Sequence, residues 1–295
     1  MPRTILLPFD GSRTSVRALR YAAALARLGD EPAGVLLLTV LPDAEGLEIP
    51  EHAGRAEVER AAQRQLASAA RRLRKAGIAQ VDTLTVWDED AADAILQVSD
   101  DRNVEMIVSG THGRSGLNRA LVGSVALTLM QHADRPTVFV PPGSPLRDVT
   151  IRSIVYPVDG STLAEQALPI VEPLAKAGVR VHVVRVVPPS ATLVPFAMPG
   201  AQGYIPVQVV EDLTAAAEVY VSEFAKRLGP GRAEPHTLIG TPARAITDFA
   251  NEHKADLIVM TTHGRGAIGR VVMGSVADQV VRTARMPVLV YRPEQ

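Results

Sequence analysis

The stretch Ile5-Leu-Leu-Pro-Phe-Asp-Gly-Ser12 returns as Ile154-Val-Tyr-Pro-Val-Asp-Gly-Ser161, and further landmarks recur in the same order at an offset of about 150 residues. Thr111-His-Gly-Arg114 answers Thr262-His-Gly-Arg265, Gly123-Ser-Val-Ala126 answers Gly274-Ser-Val-Ala277, and Arg135-Pro136 answers Met286-Pro287. A chain of 295 residues has the length of two domains at roughly 150 residues each. The duplication therefore predicts two copies of one fold. Pro141-Pro-Gly-Ser-Pro-Leu-Arg-Asp148 is rich in turn formers and reads as the connection, giving one domain over 1–143, a linker over 144–150 and a second domain over 151–295.

Each copy alternates apolar runs with helical periodicity, the pattern of βαβ units building a parallel sheet covered on both faces, and hence of an α/β protein. Strands are predicted near 3–9, 33–40, 80–86, 104–110 and 136–140, with helices near 13–28, 55–76, 90–101 and 124–133. In the second copy strands are predicted near 152–158, 180–187, 234–239, 256–261 and 287–292. The long helices carry buried stripes: Val58, Ala62, Leu66, Ala69 and Leu73 in the first copy, and Leu213, Ala217, Tyr220, Phe224 and Leu228 in the second. Arg60, Arg64, Arg71, Arg72 and Arg74, interleaved with Glu57 and Glu59, read as a solvated helix face rather than a contact with a phosphate backbone.

Composition narrows the function classes. With 31 Lys+Arg against 32 Asp+Glu there is no overall field for nucleic acid or an anionic membrane. The absence of cysteine removes disulfides, thiolate metal sites and cysteine nucleophiles. The N-terminal apolar run is broken by Pro8 and Asp10 before it reaches signal-peptide length, and no apolar stretch approaches the roughly 20 residues of a membrane span. A cytoplasmic location is expected.

In open α/β sheets ligands bind beyond the carboxyl ends of the strands where the strand order reverses. Asp10-Gly11-Ser12 and Asp159-Gly160-Ser161 each follow a first strand. An acidic side chain there can accept from a ribose or an adenine amino group, or the Asp and Ser can simply cap the next helix. After the fourth strand, Gly110-Thr-His-Gly113 is followed, after nine intervening residues, by Gly123-Ser124 at a helix start. Glycine lets backbone approach a phosphate, and helix-start N–H groups can donate to it. No Gly-Lys-Ser/Thr occurs, so this is not a Walker loop. The copy keeps Gly264 and Gly274-Ser275 but has Thr261 in place of the first glycine. Arg114, Arg119, Arg265 and Arg270 stand near enough in sequence to meet phosphate oxygens. For His112 and His263 a loop-stabilising hydrogen bond is the expectation over a catalytic base. His52, His132, His182, His236 and His253 show no metal-ligand spacing, and no metal site is assigned.

These motifs resemble the universal stress proteins in their tandem-domain form, with the Gly-x2-Gly-x9-Gly-Ser pattern beside an early Asp typical of the ATP-binding branch. The resemblance covers nearly the whole chain. It implies two Rossmann-like domains of the adenine nucleotide alpha hydrolase-like type, each a five-stranded parallel sheet of order 3-2-1-4-5 with ATP at the ends of strands one and four. By the same resemblance, the Asp lies at the adenosine end, backbone after strand two lies against adenine, and the glycine motif lies against ribose and phosphates. These roles fall on Asp10, Val40, Gly110, Gly113, Gly123, Ser124 and Val125, and on Asp159, Val186, Gly264, Gly274, Ser275 and Val276. The resemblance further implies that the last strands, Pro136-Thr-Val-Phe-Val140 and Pro287-Val-Leu-Val-Tyr291, pair within the chain as an internal pseudo-dimer.

Each half departs from that pattern once. The first has Trp87-Asp-Glu-Asp90 where a small turn is usual, and its carboxylates would call for a divalent ion such as Mg²⁺ beside a triphosphate. The second keeps Gly240-Thr-Pro-Ala243 but loses the first glycine to Thr261. Three functions compete on these residues. The first is a nucleotide-dependent regulatory protein with a protein partner; the second, a slow ATP hydrolase or adenylyl transferase; the third, a nucleotide-free structural protein. The long apolar segment 188–206, rich in proline, is expected to be an ordered cover or a partner contact.

Overall fold

A computed structural model describes residues 3–28, 32–42, 54–112, 122–145, 149–188, 207–262 and 274–292. The first half runs β1 (Thr4–Pro8), α1 (Arg13–Ala26), β2 (Gly34–Pro42), α2 (Arg55–Lys75), β3 (Val81–Asp88), α3 (Ala91–Asp101), β4 (Met106–Gly110), α4 (Ser124–His132) and β5 (Thr137–Val140). The second half begins with β6 (Ser153–Pro157), α5 (Thr162–Glu165), α6 (Leu168–Lys176) and β7 (Arg180–Val187). It continues with α7 (Val207–Arg227), β8 (Ala233–Ile239), α8 (Pro242–Glu252), β9 (Leu257–Thr261), α9 (Ser275–Thr283) and β10 (Val288–Tyr291). Among the described residues no helix is long and apolar enough to cross a membrane.

All ten strands join one sheet in the order β3-β2-β1-β4-β5-β10-β9-β6-β7-β8. Within each half the pairings are parallel, and the halves meet where β5 and β10 pair antiparallel, with Leu289 opposite Val138. Strand alternation sends Leu7, Leu37 and Val138 to one face of the sheet and Leu6, Leu36 and Phe139 to the other. Both apolar layers run through the two halves: Leu7 and Val140 share one with Ile154 and Leu289, while Ile107 and Phe139 share the other with Ile258 and Val288. Arg292 Nη1 donates to the Gln131 carbonyl at 2.7 Å, tying the halves outside the strands, and Arg17 Nε donates to the Ser144 carbonyl at 2.8 Å, holding the start of the linker on α1.

The stripe of α2 is buried from Ala62 to Leu73, and its six arginines are exposed. The stripe of α7 departs from expectation at Leu213, which is 36% exposed, whereas Ala217, Phe224 and Leu228 are buried. The helix after β6 is split into α5 and α6, unlike α1. Pro169 lacks the N–H that would bond the Glu165 carbonyl and its ring crowds that carbonyl, so the first segment stops there.

Because the sheet and both layers are continuous, Leu289→Ala should destabilise the whole chain by about 2–5 kcal/mol. Urea unfolding of the wild type and the variant is expected to show one transition with a lowered midpoint. A second transition left untouched by the substitution would mean that the halves unfold separately.

Candidate functional site

Sheet order reverses between β1 and β4 in the first half and between β6 and β9 in the second. The chain leaves β1 through Asp10 and Gly11. Gly11 has φ +76° and its counterpart Gly160 φ +80°, a left-handed turn that favours glycine. Asp10 Oδ1 accepts the Ser12 amide at 2.9 Å, and Ser12 Oγ caps α1 by accepting the Ser15 amide at 3.1 Å. In the second half Asp159 Oδ1 accepts the Ser161 amide at 2.9 Å and its hydroxyl at 2.6 Å, while Ser161 Oγ accepts the Ala164 amide at 3.1 Å. The serines are therefore the caps, and the half-buried aspartates shape the turns at the switch points.

The glycine loops leave β4 and β9 through matching stems. The Thr111 amide donates to the Val140 carbonyl at 3.0 Å and the Gly123 amide to the Thr111 carbonyl at 2.8 Å; the Thr262 and Gly274 amides repeat this to Tyr291 and Thr262 at 2.8 and 2.6 Å. This brings Gly123 and Gly274, the N-cap residues of α4 and α9, back to the strand ends. Neither helix has a side-chain cap. The first intrahelical bond of α4 runs from the Leu127 amide to the Gly123 carbonyl, so the amides of Ser124, Val125 and Ala126 have no partner inside the helix. Such a terminus attracts anions through its N–H groups and its dipole. Ser124 and Ser275 are exposed at these starts, with Val125 and Val276 half-buried. Val40 and Val186 are half-buried near the ends of β2 and β7.

Gly110 ends β4 against α1, where an added Cβ would stand 2.7 Å from Thr14 Cγ2 and 3.1 Å from Thr14 Cβ. Its smallness serves helix packing directly. In the second half the residue in this place is Thr261, buried, and the helix it faces is the shortened α5. His112 is bonded through Nδ1 to the Thr111 hydroxyl at 2.9 Å, in agreement with a loop-stabilising role. The acidic turn after β3 is also used locally: Asp88 Oδ1 accepts the Asp90 amide at 2.9 Å, and Asp90 caps α3 by accepting the Ala92 and Asp93 amides at 2.7 and 3.2 Å. Gly113, Arg114, Arg119, His263, Gly264, Arg265, Arg270 and the segment from 189 to 206 lie outside the described residues.

Two groupings in the second half have no counterpart in the sequence reading. The Tyr220 hydroxyl donates to Glu165 Oε1 at 2.8 Å, Arg227 pairs with Glu165 Oε2 at 2.6 Å, and the Arg185 guanidinium lies 4.7 Å from the Tyr220 ring centroid. Burial, then the bond to Glu165, pushes the Tyr220 hydroxyl well above its ordinary pKa, with Asp159 close enough to add to the effect. The second grouping unites His182, Glu234 and His236, which no linear spacing marks as a set. The Glu-x-His alternation on β8 was the only local signal.

The fold and its paired switch-point loops define a tandem Rossmann-like α/β protein. The chain belongs to the universal stress protein family, whose sequence profile matches residues 1–141 and 150–292. A universal stress protein of Mycolicibacterium smegmatis is 25% identical over 305 aligned positions, covering 98% of this chain and 97% of that one. One from Methanocaldococcus jannaschii is 34% identical over 144 residues, 48% of this chain and 82% of its own. The crystal structure of a universal stress protein from Archaeoglobus fulgidus superposes with a TM-score of 0.68 at 22% identity, covering 98% of both chains.

The contact between Gly110 and Thr14 gives a direct test of the packing role. Gly110→Ala should cost about 1–3 kcal/mol through overpacking. Adding Thr14→Ser removes the opposing methyl and should restore part of the loss. Denaturant midpoints for the two single variants and the double variant give the coupling; strict additivity would show that the two side chains do not compete for this space.

Proposed function

We propose that the chain is a cytoplasmic protein that binds an adenine nucleotide, foremost ATP, at the switch point of each half, and that occupancy alters a conformation or a contact with a protein partner. The observation that carries this reading is the pair of helix starts, Ser124 and Ser275, brought to the strand ends behind N-cap glycines, with first-turn amides that have no partner inside the helix and no side-chain cap. On this reading Gly110, Gly113, Gly123, Ser124 and Val125 hold ribose and phosphates in the first half, and Gly264, Gly274, Ser275 and Val276 do so in the second. Arg114 and Arg265 lie beside the phosphates. Asp10 and Asp159 face the adenosine, and backbone at Val40 and Val186 borders adenine.

The residues fit such a ligand without a lysine, because backbone donors at a helix start supply the anion site. Asp88 and Asp90 sit at the α3 N-terminus, whose dipole offsets part of their charge, and Mg²⁺ would offset the rest beside a triphosphate. Fast hydrolysis needs an oriented water and stabilised charge at the transferred phosphoryl. The bond to Thr111 orients the His112 ring without supplying that charge stabilisation, so the reading is of a binding protein rather than a dedicated enzyme.

ATP with Mg²⁺ should raise the unfolding temperature, with about 2.7 kcal/mol of stabilisation when the ligand is at a hundred times its Kd. Gly123→Val together with Gly274→Val should abolish that shift while the ligand-free protein stays folded. No shift with wild type, and no nucleotide released from the denatured protein in mass spectrometry, would sink the proposal. Turnover is a separate measurement: steady-state phosphate release is expected far below the roughly 1–1000 per second of dedicated enzymes. Fast release that is lost in a His112→Ala, His263→Ala variant with ATP affinity intact would make the protein an ATPase.

A further inference from the structure

At the end of the second-half sheet opposite its switch point, three potential ligands converge on one face of β7 and β8. His182 and Glu234 are direct neighbours in the parallel register, and His236 follows two residues after Glu234 on the same side. His182 Nδ1 lies 3.0 Å from His236 Nε2 and 3.4 Å from Glu234 Oε2, and His236 Nε2 lies 3.9 Å from that oxygen. In a tetrahedral site with bonds of roughly 2.0–2.1 Å, donor atoms stand about 3.3 Å apart, so this triangle needs only a few tenths of an ångström of adjustment. We infer that His182, Glu234 and His236 form a binding site for a divalent ion of the zinc class, separate from the nucleotide ends of the strands.

The surroundings suit such an ion. His182 is buried at the base of the group, with 3% of its side chain exposed, while Glu234 is 54% exposed at the open side and gives an entry path. His253, the C-cap of α8, stands with its ring 5.4 Å from that of His182 and 5.7 Å from that of His236. Its Nδ1 lies 3.0 Å from the Phe249 carbonyl, which only accepts, so Nδ1 carries the proton and Nε2 keeps the lone pair. That orientation by a backbone carbonyl is the support a metal-binding imidazole uses, and His253 or water can take the fourth position. His182 Nδ1 and His236 Nε2 face each other at 3.0 Å, so one of the two carries the shared proton without metal, and a bound ion would displace that proton. Two imidazoles and one carboxylate select zinc, cobalt, nickel or iron over calcium or magnesium.

The duplication supplies an internal control. Ile5 and Ile154 are matching residues of the first strands, and the registers carry that match across to Leu36 for His182, Asp82 for Glu234 and Leu84 for His236. Leu36 is buried in the same apolar layer and Leu84 packs against it. The fold thus fills these places with leucine in one half, and the histidines of the other are not required by the architecture. Since β8 is the last strand of the sheet, a bound ion would fasten an edge strand to its neighbour.

The test uses the untagged full chain, freed of metal with chelator and without added nucleotide. Zn²⁺ titration by calorimetry should show one saturable equivalent per chain, Co²⁺ should give the intense visible bands of a tetrahedral site, and either ion should raise the unfolding temperature. His182→Leu with His236→Leu copies the first half, should remain folded in chelator, and should lose the equivalent and the Co²⁺ spectrum. Glu234→Gln, at an exposed position, removes a direct ligand and should weaken Zn²⁺ binding by at least the roughly tenfold to hundredfold that loss of an outer supporting group causes. Absence of saturable binding by the wild type, or a one-equivalent event unchanged in the leucine pair or in Glu234→Gln, would overturn the site.

Discussion

The antiparallel pairing of β5 with β10 decides how everything else is arranged. Each half alone would end in a short, mainly apolar strand, Thr-Val-Phe-Val or Val-Leu-Val-Tyr, with one row of backbone groups unpaired and open to aggregation. Pairing satisfies both rows at once and merges two five-stranded sheets, so that the apolar layers on both faces run across the junction. The remaining sheet edges are β3 and β8, whose burial patterns are more polar than those of the central strands. Antiparallel joining also reverses strand direction between the halves. The carboxyl ends of β1 and β4 therefore point to one end of the sheet and those of β6 and β9 to the other, so the two candidate nucleotide sites open at opposite ends and cannot share one ligand.

Within that frame the halves have diverged where local packing allowed. Gly110 lets a continuous α1 lie close on the end of β4, and its neighbour Thr14 leaves no room for a side chain. The second half has Thr261 at this place and a first helix cut short after Glu165 ahead of Pro169, with Tyr220, Glu165 and Arg227 linked beside it. These are changes in the walls of the switch point; the stem bonds that return Gly123 and Gly274 to the strand ends are the same in both halves. Loop closure is thus held constant while the adjoining helix varies.

The elements of this fold were legible in the sequence because each carries its own period. Leu6, Leu36 and Ile107 mark strands by alternation or by apolar runs, and Ala62, Leu66, Ala69 and Leu73 mark one face of a helix. Leu213 shares the apolar stripe of α7 yet is 36% exposed, since a period marks a face and not how deeply each residue on it is covered. The split between α5 and α6 is legible in Pro169, for which α1 has no counterpart. The cluster around His182 was not legible, since Glu234 and His236 lie more than 50 residues downstream and only the β7–β8 register brings them to His182. Side chains that meet through a sheet ladder leave a period-two trace on each strand and none between strands.

The choice of glycine rather than serine at the start of α4 and α9 bears on what those helix ends are for. At α1, α3 and α5 a side chain of Ser12, Asp90 or Ser161 accepts a first-turn amide and so occupies the end of the helix. Glycine at an N-cap costs only a few tenths of a kcal/mol relative to such residues, whereas alanine costs about 1 kcal/mol. Gly123 and Gly274 therefore leave the amides of α4 and α9 open to water or to an anion at little expense in stability, with N-cap dihedrals of φ −64° and −60° that any residue could adopt. Since the dihedrals do not demand glycine, what distinguishes it here is the missing side chain: the N-cap residue itself does not compete for the helix end. The two helix starts differ in this respect from the serine-capped ones beside them, at the same switch points and in both halves.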